Sequence, residues 1–136
     1  MAASVLADAS FLIALLSRRE RDHDWAVAKA RQLPPPWRTC EAVISEAFHL
    51  LGELAAPALN GLLLRRAIVT PFRFDDSVAE VLKLMEKYAD VPMSLADACL
   101  LRMTEILAEP ILLTTDADFR IYRRHSRQVV PCILPS

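Results

Sequence analysis

Four acids in this chain stand where a carboxylate can do chemistry: Asp8, Glu46, Asp97 and Asp116. Asp8 follows the short apolar run Ser4-Val-Leu-Ala7, and Asp116 follows Ile111-Leu-Leu-Thr-Thr115. Runs of that length and character form buried parallel strands, so each acid sits at a strand's carboxyl end. Glu46 and Asp97 lie at the apolar margins of helical stretches that must pack on the same sheet. Ligands of open parallel sheets bind outside the carboxyl ends of the strands. Carboxylates converging there with no Lys or Arg adjacent in sequence repel one another and raise their own pKa values. A divalent cation removes that conflict, and an all-oxygen donor set suits Mg²⁺ or Mn²⁺. Two such ions about 3.5–4 Å apart let one activate water while the other stabilises the leaving oxygen of an in-line phosphoryl displacement.

Taken singly, each acid has a structural explanation, and capping is then the better account. Asp8 and Asp116 are placed to cap helices, where a side-chain oxygen accepts a backbone N–H and the dipole favours negative charge. Asp97 stands three residues after Ser94, the third position of a capping box, although Glu or Gln is the usual occupant. Glu46 has no such role. It falls mid-helix, and an unpaired carboxylate half-buried against leucines needs a partner. The three histidines (His23, His49, His125) are too widely separated to suggest a zinc motif. Of the three cysteines (Cys40, Cys99, Cys132), no two stand at a metal-ligand spacing, which points to reduced structural thiols.

Alternating strand and helix must position these groups. After the first strand a helix runs from Asp8 through Leu15 and Leu16, and Arg18 to Asp24 reads as a turn. A helix from Trp25 to Leu33 is stopped by Pro34-Pro-Pro36. Trp37 to Cys40 is a second short strand. Glu41 to Leu54 is a helix whose apolar face is Val43, Ala47, Leu50, Leu51 and Leu54, and Pro57 to Ala67 is another, the two forming a protruding apolar hairpin suited to a protein interface. Ile68 to Thr70 is a strand and Pro71 to Asp75 a loop. Asp76-Ser77 starts a helix with Val78, Val81, Leu82 and Met85 inward. Ser94 begins a helix that Glu109-Pro110 closes; a short helix or turn begins at Ala117, and Gln128 to Ile133 is an edge strand. Such alternation predicts an α/β fold with a short, mainly parallel sheet between helices, one domain over residues 1–136.

Composition narrows the function classes. Only two glycines occur, which argues against a glycine-rich phosphate loop and hence against nucleoside-triphosphate binding. The start lacks a basic segment ahead of an apolar core, and no continuous apolar run approaches the roughly 18 residues that span a bilayer. The expectation is a cytoplasmic protein with no membrane association. With a net charge of −1 the chain is no general polyanion binder. Arginines nevertheless cluster at Arg18, Arg19 and Arg21, at Arg65 and Arg66, and at Arg120, Arg123, Arg124 and Arg127. They are either solvated surface or a basic rim around an acidic centre, as a phosphodiesterase would need.

Four segments together resemble the PIN-domain ribonucleases, in particular the VapC-like toxins of type II toxin–antitoxin pairs. They are Ala7-Asp8-Ala-Ser10-Phe-Leu-Ile, Val43-Ile-Ser-Glu46-Ala-Phe-His-Leu-Leu, Asp90-Val-Pro-Met-Ser-Leu-Ala-Asp97-Ala-Cys-Leu and Thr114-Thr-Asp116-Ala-Asp118-Phe-Arg-Ile-Tyr. Their order and spacing follow the family over nearly the whole chain. The resemblance implies a three-layer α/β/α PIN-like domain and metal-binding, catalytic roles for Asp8, Glu46, Asp97 and Asp116. It also implies support from Ser10 beside Asp8, and Asp118 as an outer or alternative ligand to Asp116. The chemistry implied is Mg²⁺- or Mn²⁺-dependent cleavage of RNA by an activated water without a covalent intermediate. The partners implied are the RNA substrate, a small cognate antitoxin and a second copy of the chain in a homodimer.

Two rival readings use the same residues. A Mg²⁺-binding receiver domain also gathers aspartates at strand ends, but needs a Lys at a late strand end, and the only lysines are Lys29, Lys83 and Lys87, all on helical segments. A non-catalytic PIN-like interaction module would keep the fold and use the apolar segments Leu12 to Leu16 and Leu59 to Leu64 for partners.

Overall fold

The computed structural model describes residues 3–136. Its sheet contains β1 (Ser4–Ala7), β2 (Trp37–Arg38), β3 (Ile68–Val69), β4 (Pro110–Leu113) and β7 (Cys132–Ile133) in the order β3-β2-β1-β4-β7, every neighbouring pair parallel. Ser4 pairs with Pro110 and Ala7 with Leu113 along the longest register. Pro110 is accommodated as the first residue of its strand, where the missing N–H breaks no ladder bond. Helices α1 (Ala9–Leu16), α2 (His23–Gln32), α3 (Glu41–Leu64), α4 (Val78–Lys87) and α5 (Leu95–Ile106) flank the sheet, α1 against α2 and α3, and α4 against α5. The expected α/β class and parallel sheet are therefore present.

The strand order places chemistry at one point. From β1 the chain steps outward through β2 and β3, then returns to β4 on β1's other side. Such a reversal opens a crevice at the carboxyl ends of β1 and β4. Asp8 follows β1 and Asp116 lies shortly after β4, so both acids stand at that crevice.

The core beneath is apolar because both sheet faces are covered. Leu6, Ala7, Leu112 and Leu113 from the central strands are fully buried with Phe11, Leu12, Leu100 and Leu101 from the helices. Phe11 sets its ring edge-on to Trp37 at 5.5 Å and to Trp25 at 6.1 Å, which fastens α1 to β2 and α2.

Several boundaries differ from expectation. Glu41–Leu54 and Pro57–Ala67 are not separated near residue 56; one long element is broken at Gly52, whose φ of 70° and ψ of −173° are reserved in practice for glycine. Pro57 lies within the second segment instead of opening it. Leu50 is 58% and Leu54 96% exposed, while Leu51 is partly buried, so the apolar face expected for this helix is only partly inward. Two helical segments therefore meet at Gly52, and only when counted across that kink is Glu41–Leu64 long and apolar enough to cross a membrane, with Glu46 and Glu53 both on it.

In α4 the inward set is Val81 with Leu84 and Met85, while Leu82 is exposed, and a 3-10 turn at Phe74–Asp76 precedes Ser77. The single edge strand expected from Gln128 to Ile133 is two strands. Here β5 (Arg123–Arg124) and β6 (Gln128–Val129) form a separate antiparallel pair, and β7 joins the main sheet. Pro131 divides them: it has no N–H to donate, yet its carbonyl accepts the N–H of Leu112 at 2.9 Å.

Gly52 is the backbone position where a side chain is least tolerable, although no atom lies within 4 Å of where its Cβ would be. Strain alone should therefore set the cost. Gly52→Ala is expected to lower unfolding free energy by about 1–3 kcal/mol in urea titrations; an unchanged midpoint would show that the break relaxes without cost.

Candidate active site

Asp8 is buried at the end of β1, and the fold supplies every donor that a carboxylate there requires. One oxygen accepts the Ala9 N–H at 2.7 Å, which makes Asp8 the N-cap of α1. The other accepts the Thr114 hydroxyl at 2.7 Å and the Ser10 hydroxyl at 3.1 Å. Those hydroxyls in turn accept backbone N–H groups, Thr115 to Ser10 and Asp116 to Thr114, each at 3.0 Å. The end of β1 is thus tied to the segment after β4 by side chains as well as by the ladder. Burial nevertheless dominates: it pushes the Asp8 carboxyl up to about 6, with Asp97 adding repulsion and the Thr114, Ala9 and Ser10 donors opposing.

Asp97 and Asp116 reach the same place from separate elements. Ser94 and Asp97 form the expected capping box: the Asp97 N–H donates to Ser94 Oγ at 3.0 Å and the Ser94 N–H to Asp97 Oδ2 at 3.1 Å. Asp116 caps the 3-10 turn Ala117–Arg120 by accepting the Asp118 N–H on Oδ1 at 2.9 Å. Each cap occupies one carboxylate oxygen, and the second oxygen of Asp97 and of Asp116 makes no hydrogen bond among the described residues. One oxygen each from Asp8, Asp97 and Asp116 can be chosen so that all three lie within 4.8 Å of one another. All three acids therefore both cap a helical turn and converge on one point.

Glu46 and Asp118 lie outside that trio. Glu46 sits on the exposed side of α3, where only Val43 and Ala47 of its half are buried. The expectation of a half-buried acid in need of a partner is corrected accordingly. Its carboxyl is still raised, by partial burial first and then by the charges of Asp97 and Asp116, so it faces the cluster without joining it. Asp97 is raised by burial first, with Asp116 and Asp118 contributing repulsion. Asp118 therefore acts on the cluster through space, while its N–H supports Asp116.

The donor set fits a hard divalent cation. All three clustered ligands are carboxylates, with neither His nor Cys among them. Among the described residues the ion pairs are Arg21–Asp22, Arg102–Glu80 and Arg102–Glu105, none of which neutralises the trio. The receiver-domain requirement fails in the same place, since Lys29 lies on α2 and Lys83 and Lys87 on α4, away from the strand ends.

Two neighbouring groups escaped the sequence reading. Thr114 is one, and its sequence signal is a hydroxyl two residues ahead of the strand-end acid Asp116. Tyr122 is fully buried, with its phenol oxygen unpartnered among the described residues. Burial, then the charges of Asp97, Asp118, Asp116 and Asp8, raise its pKa. Its ring is held by Phe119 three residues earlier, at 5.2 Å, and by Tyr88 at 5.0 Å, a tertiary contact that no local pattern marks.

The terminal arginines are only in part a free rim. Arg123 turns its Nη1 onto the carbonyls of Arg120, Ile121 and Tyr122, and Arg124 donates to the Thr104 carbonyl and to Gln128, while Arg120 and Arg127 are exposed.

A family model described as PIN domain matches residues 5–124. Among curated proteins none matches the chain.

Asp8 supplies a pH signature. Its carboxyl titrates near 6 in the folded chain against 3.8 ordinarily, so the folded state holds the proton more tightly. Stability from that bound proton is fully present below about 4 and is lost as pH rises through about 6. In chelator, the wild-type chain should lose on the order of 2–3 kcal/mol relative to Asp8→Asn across that window. Adding Mn²⁺ at neutral pH should stabilise wild type and leave Asp8→Asn unmoved. A difference between the two chains that is flat with pH in chelator would show that an ionised Asp8 carries no burial cost.

Proposed function

Because the chain belongs to the PIN-domain family, we propose that it is a Mg²⁺- or Mn²⁺-dependent endoribonuclease and the toxin of a type II toxin–antitoxin pair. PIN domains are generally metal-dependent nucleases. The observation that carries the reading in this chain is the convergence of Asp8, Asp97 and Asp116 at the β1–β4 crevice, with no cationic side chain paired to them among the described residues.

In this reading Asp8, Asp97 and Asp116 hold the cation, and Glu46, facing them from α3, completes the site. A bound divalent ion supplies an activated water and neutralises charge on the phosphate during displacement. The chain's own groups do the positioning. Thr114 and Ser10 fix one oxygen of the Asp8 carboxylate by donating to it, and the Ala9 N–H fixes the other. The Ser94 box holds Asp97 in the first turn of α5, and Asp118 steadies Asp116 through its N–H. Exposed Arg120 and Arg127 attract and register the phosphate backbone without reading bases.

The partners follow the same reading: RNA as substrate, a small cognate antitoxin that blocks the site, and a second copy of the chain, all in the cytoplasm. Exposed Leu50, Leu54 and Leu64 on α3 offer apolar surface for such contacts. They are equally what a non-catalytic interaction module would display, and metal binding separates the two, because the module has no use for unneutralised acids.

Two substitutions in one turn of α5 divide capping from catalysis. Asp97→Asn keeps a side-chain acceptor for the Ser94 N–H but removes the charge, and should reduce Mn²⁺-stimulated RNA cleavage by at least about a hundredfold with folding intact. Ser94→Ala should cost about 0.5–2 kcal/mol of stability and leave cleavage by the folded fraction near wild type. Undiminished cleavage by Asp97→Asn, in a preparation cleared of contaminating nuclease, would overturn the assignment.

A further inference from the structure

The carboxyl edge of the sheet carries a second concavity beside the acids. Cys40 lies two residues beyond β2 and Phe72 three residues beyond β3, and both line a cavity of about 360 Å³ together with Ala42 of α3 and Cys99 of α5. Phe72, Cys40 and Cys99 are buried and make its floor apolar. Phe74 and Leu95, 39% and 42% exposed, stand at its mouth. Parallel strands end at one edge and lie about 5 Å apart, so a cavity over β2 and β3 sits roughly 5–10 Å along that edge from β1, where Asp8 stands. Leu95 belongs to the same first turn of α5 as Asp97.

The rim is charged. Glu41 lines the apolar cavity, and it also lines an adjoining shallower one with Arg73, Phe74 and Asp75. Glu41 and Arg73 are exposed, and neither forms an ion pair among the described residues. An aromatic side chain over an apolar floor, with a carboxylate and a guanidinium at the rim, suits a planar ligand that is apolar on its faces and polar on its edges. Unpaired bases of single-stranded RNA are such ligands: they stack on aromatic side chains and are read along their edges. Of the four bases only guanine offers two adjacent donors, N1–H and the 2-amino group, to a carboxylate and two acceptors, O6 and N7, to a guanidinium.

We propose that this cavity seats an unpaired guanine of the RNA beside the cleaved bond, stacked on Phe74, with Glu41 accepting from its Watson–Crick edge and Arg73 donating to O6 and N7. The acid cluster meets phosphate and reads no base, so this site supplies the discrimination that the cluster lacks. Placing it next to a cleaved bond rests on the nuclease reading above, whereas guanine binding itself does not.

The test measures anisotropy of fluorescein-labelled RNA hexamers in chelator, so that no bond is cut: hexauridine, and the same strand with one central guanosine or one central adenosine. Wild type should bind the guanosine strand about tenfold or more tightly than hexauridine and several-fold more tightly than the adenosine strand, which controls for purine stacking. Phe74→Ala should weaken guanosine-strand binding by about five- to a hundredfold and Phe74→Tyr should preserve it. Glu41→Gln should reduce the preference for guanosine over adenosine. Equal affinity of wild type for the guanosine and adenosine strands, or of wild type and a folded Phe74→Ala for the guanosine strand, would overturn the proposal. A homodimer that Phe74→Ala dissociates in sedimentation while RNA affinity stays unchanged would assign the surface to a second copy of the chain. With Mn²⁺ added, a chain that prefers guanosine but cuts none of the strands would count against the nuclease reading and leave the guanine site standing. Binding and cleavage of all three strands alike would do the reverse.

Discussion

Mutual repulsion among Asp8, Asp97 and Asp116 is the constraint that the rest of the structure answers. Three carboxylates within 4.8 Å of one another, one of them buried, are unfavourable in the absence of a counter-charge. The fold opposes that cost locally. Thr114, Ser10 and the Ala9 N–H surround Asp8, the capping box holds Asp97, and the Asp118 N–H holds Asp116. Every one of these donors stabilises the charged form of its acid, so the scaffold lowers a penalty that it does not remove. What remains is a preference for positive charge at one point outside the sheet.

The location of that point follows from topology. Parallel strands send all their carboxyl ends to one edge, and the reversal of strand order between β1 and β4 opens a gap in the layer above them. Asp8 and Asp116 come to the gap because their strands end there, and Asp97 comes because α5 begins there. Helix starts and strand ends also leave backbone N–H groups without partners, which is why acids placed there are useful as caps. The same geometry that makes an aspartate a good cap gathers several of them into one site. Asp97 and Asp116 each keep one carboxylate oxygen without a hydrogen bond among the described residues, so capping does not use up either side chain.

The surroundings divide along similar lines. Arginines that sequence alone leaves as either solvated surface or phosphate rim separate in the fold: Arg123 bonds carbonyls of its own turn and Arg124 the Thr104 carbonyl in α5, while Arg120 and Arg127 remain exposed. Guanidinium groups cap carbonyls as readily as they bind phosphate, and only the path of the backbone decides between the two. Leu50 and Leu54 show a comparable ambiguity. Helical spacing places them inward, but both are exposed, one on each side of the kink at Gly52, and add apolar surface to α3.

What the chain's residues determined without tertiary information was local. Apolar runs of four or five residues marked β1 and β4, Asp8 and Ser94 marked the starts of α1 and α5, and the alternation of strand and helix predicted a parallel sheet. These signals are legible because strand burial, capping and helix periodicity depend on neighbours a few residues away. Tertiary structure alone decided which acids touch. It placed Asp8, Asp97 and Asp116 together while leaving Glu46 at the margin, brought Thr114 onto Asp8, and closed Tyr88 over Tyr122. Those contacts join residues from separate elements, and their distances depend on strand order, on a kink at one glycine and on packing between helices. No local pattern encodes such distances, because each is the sum of many weak choices made along the whole chain.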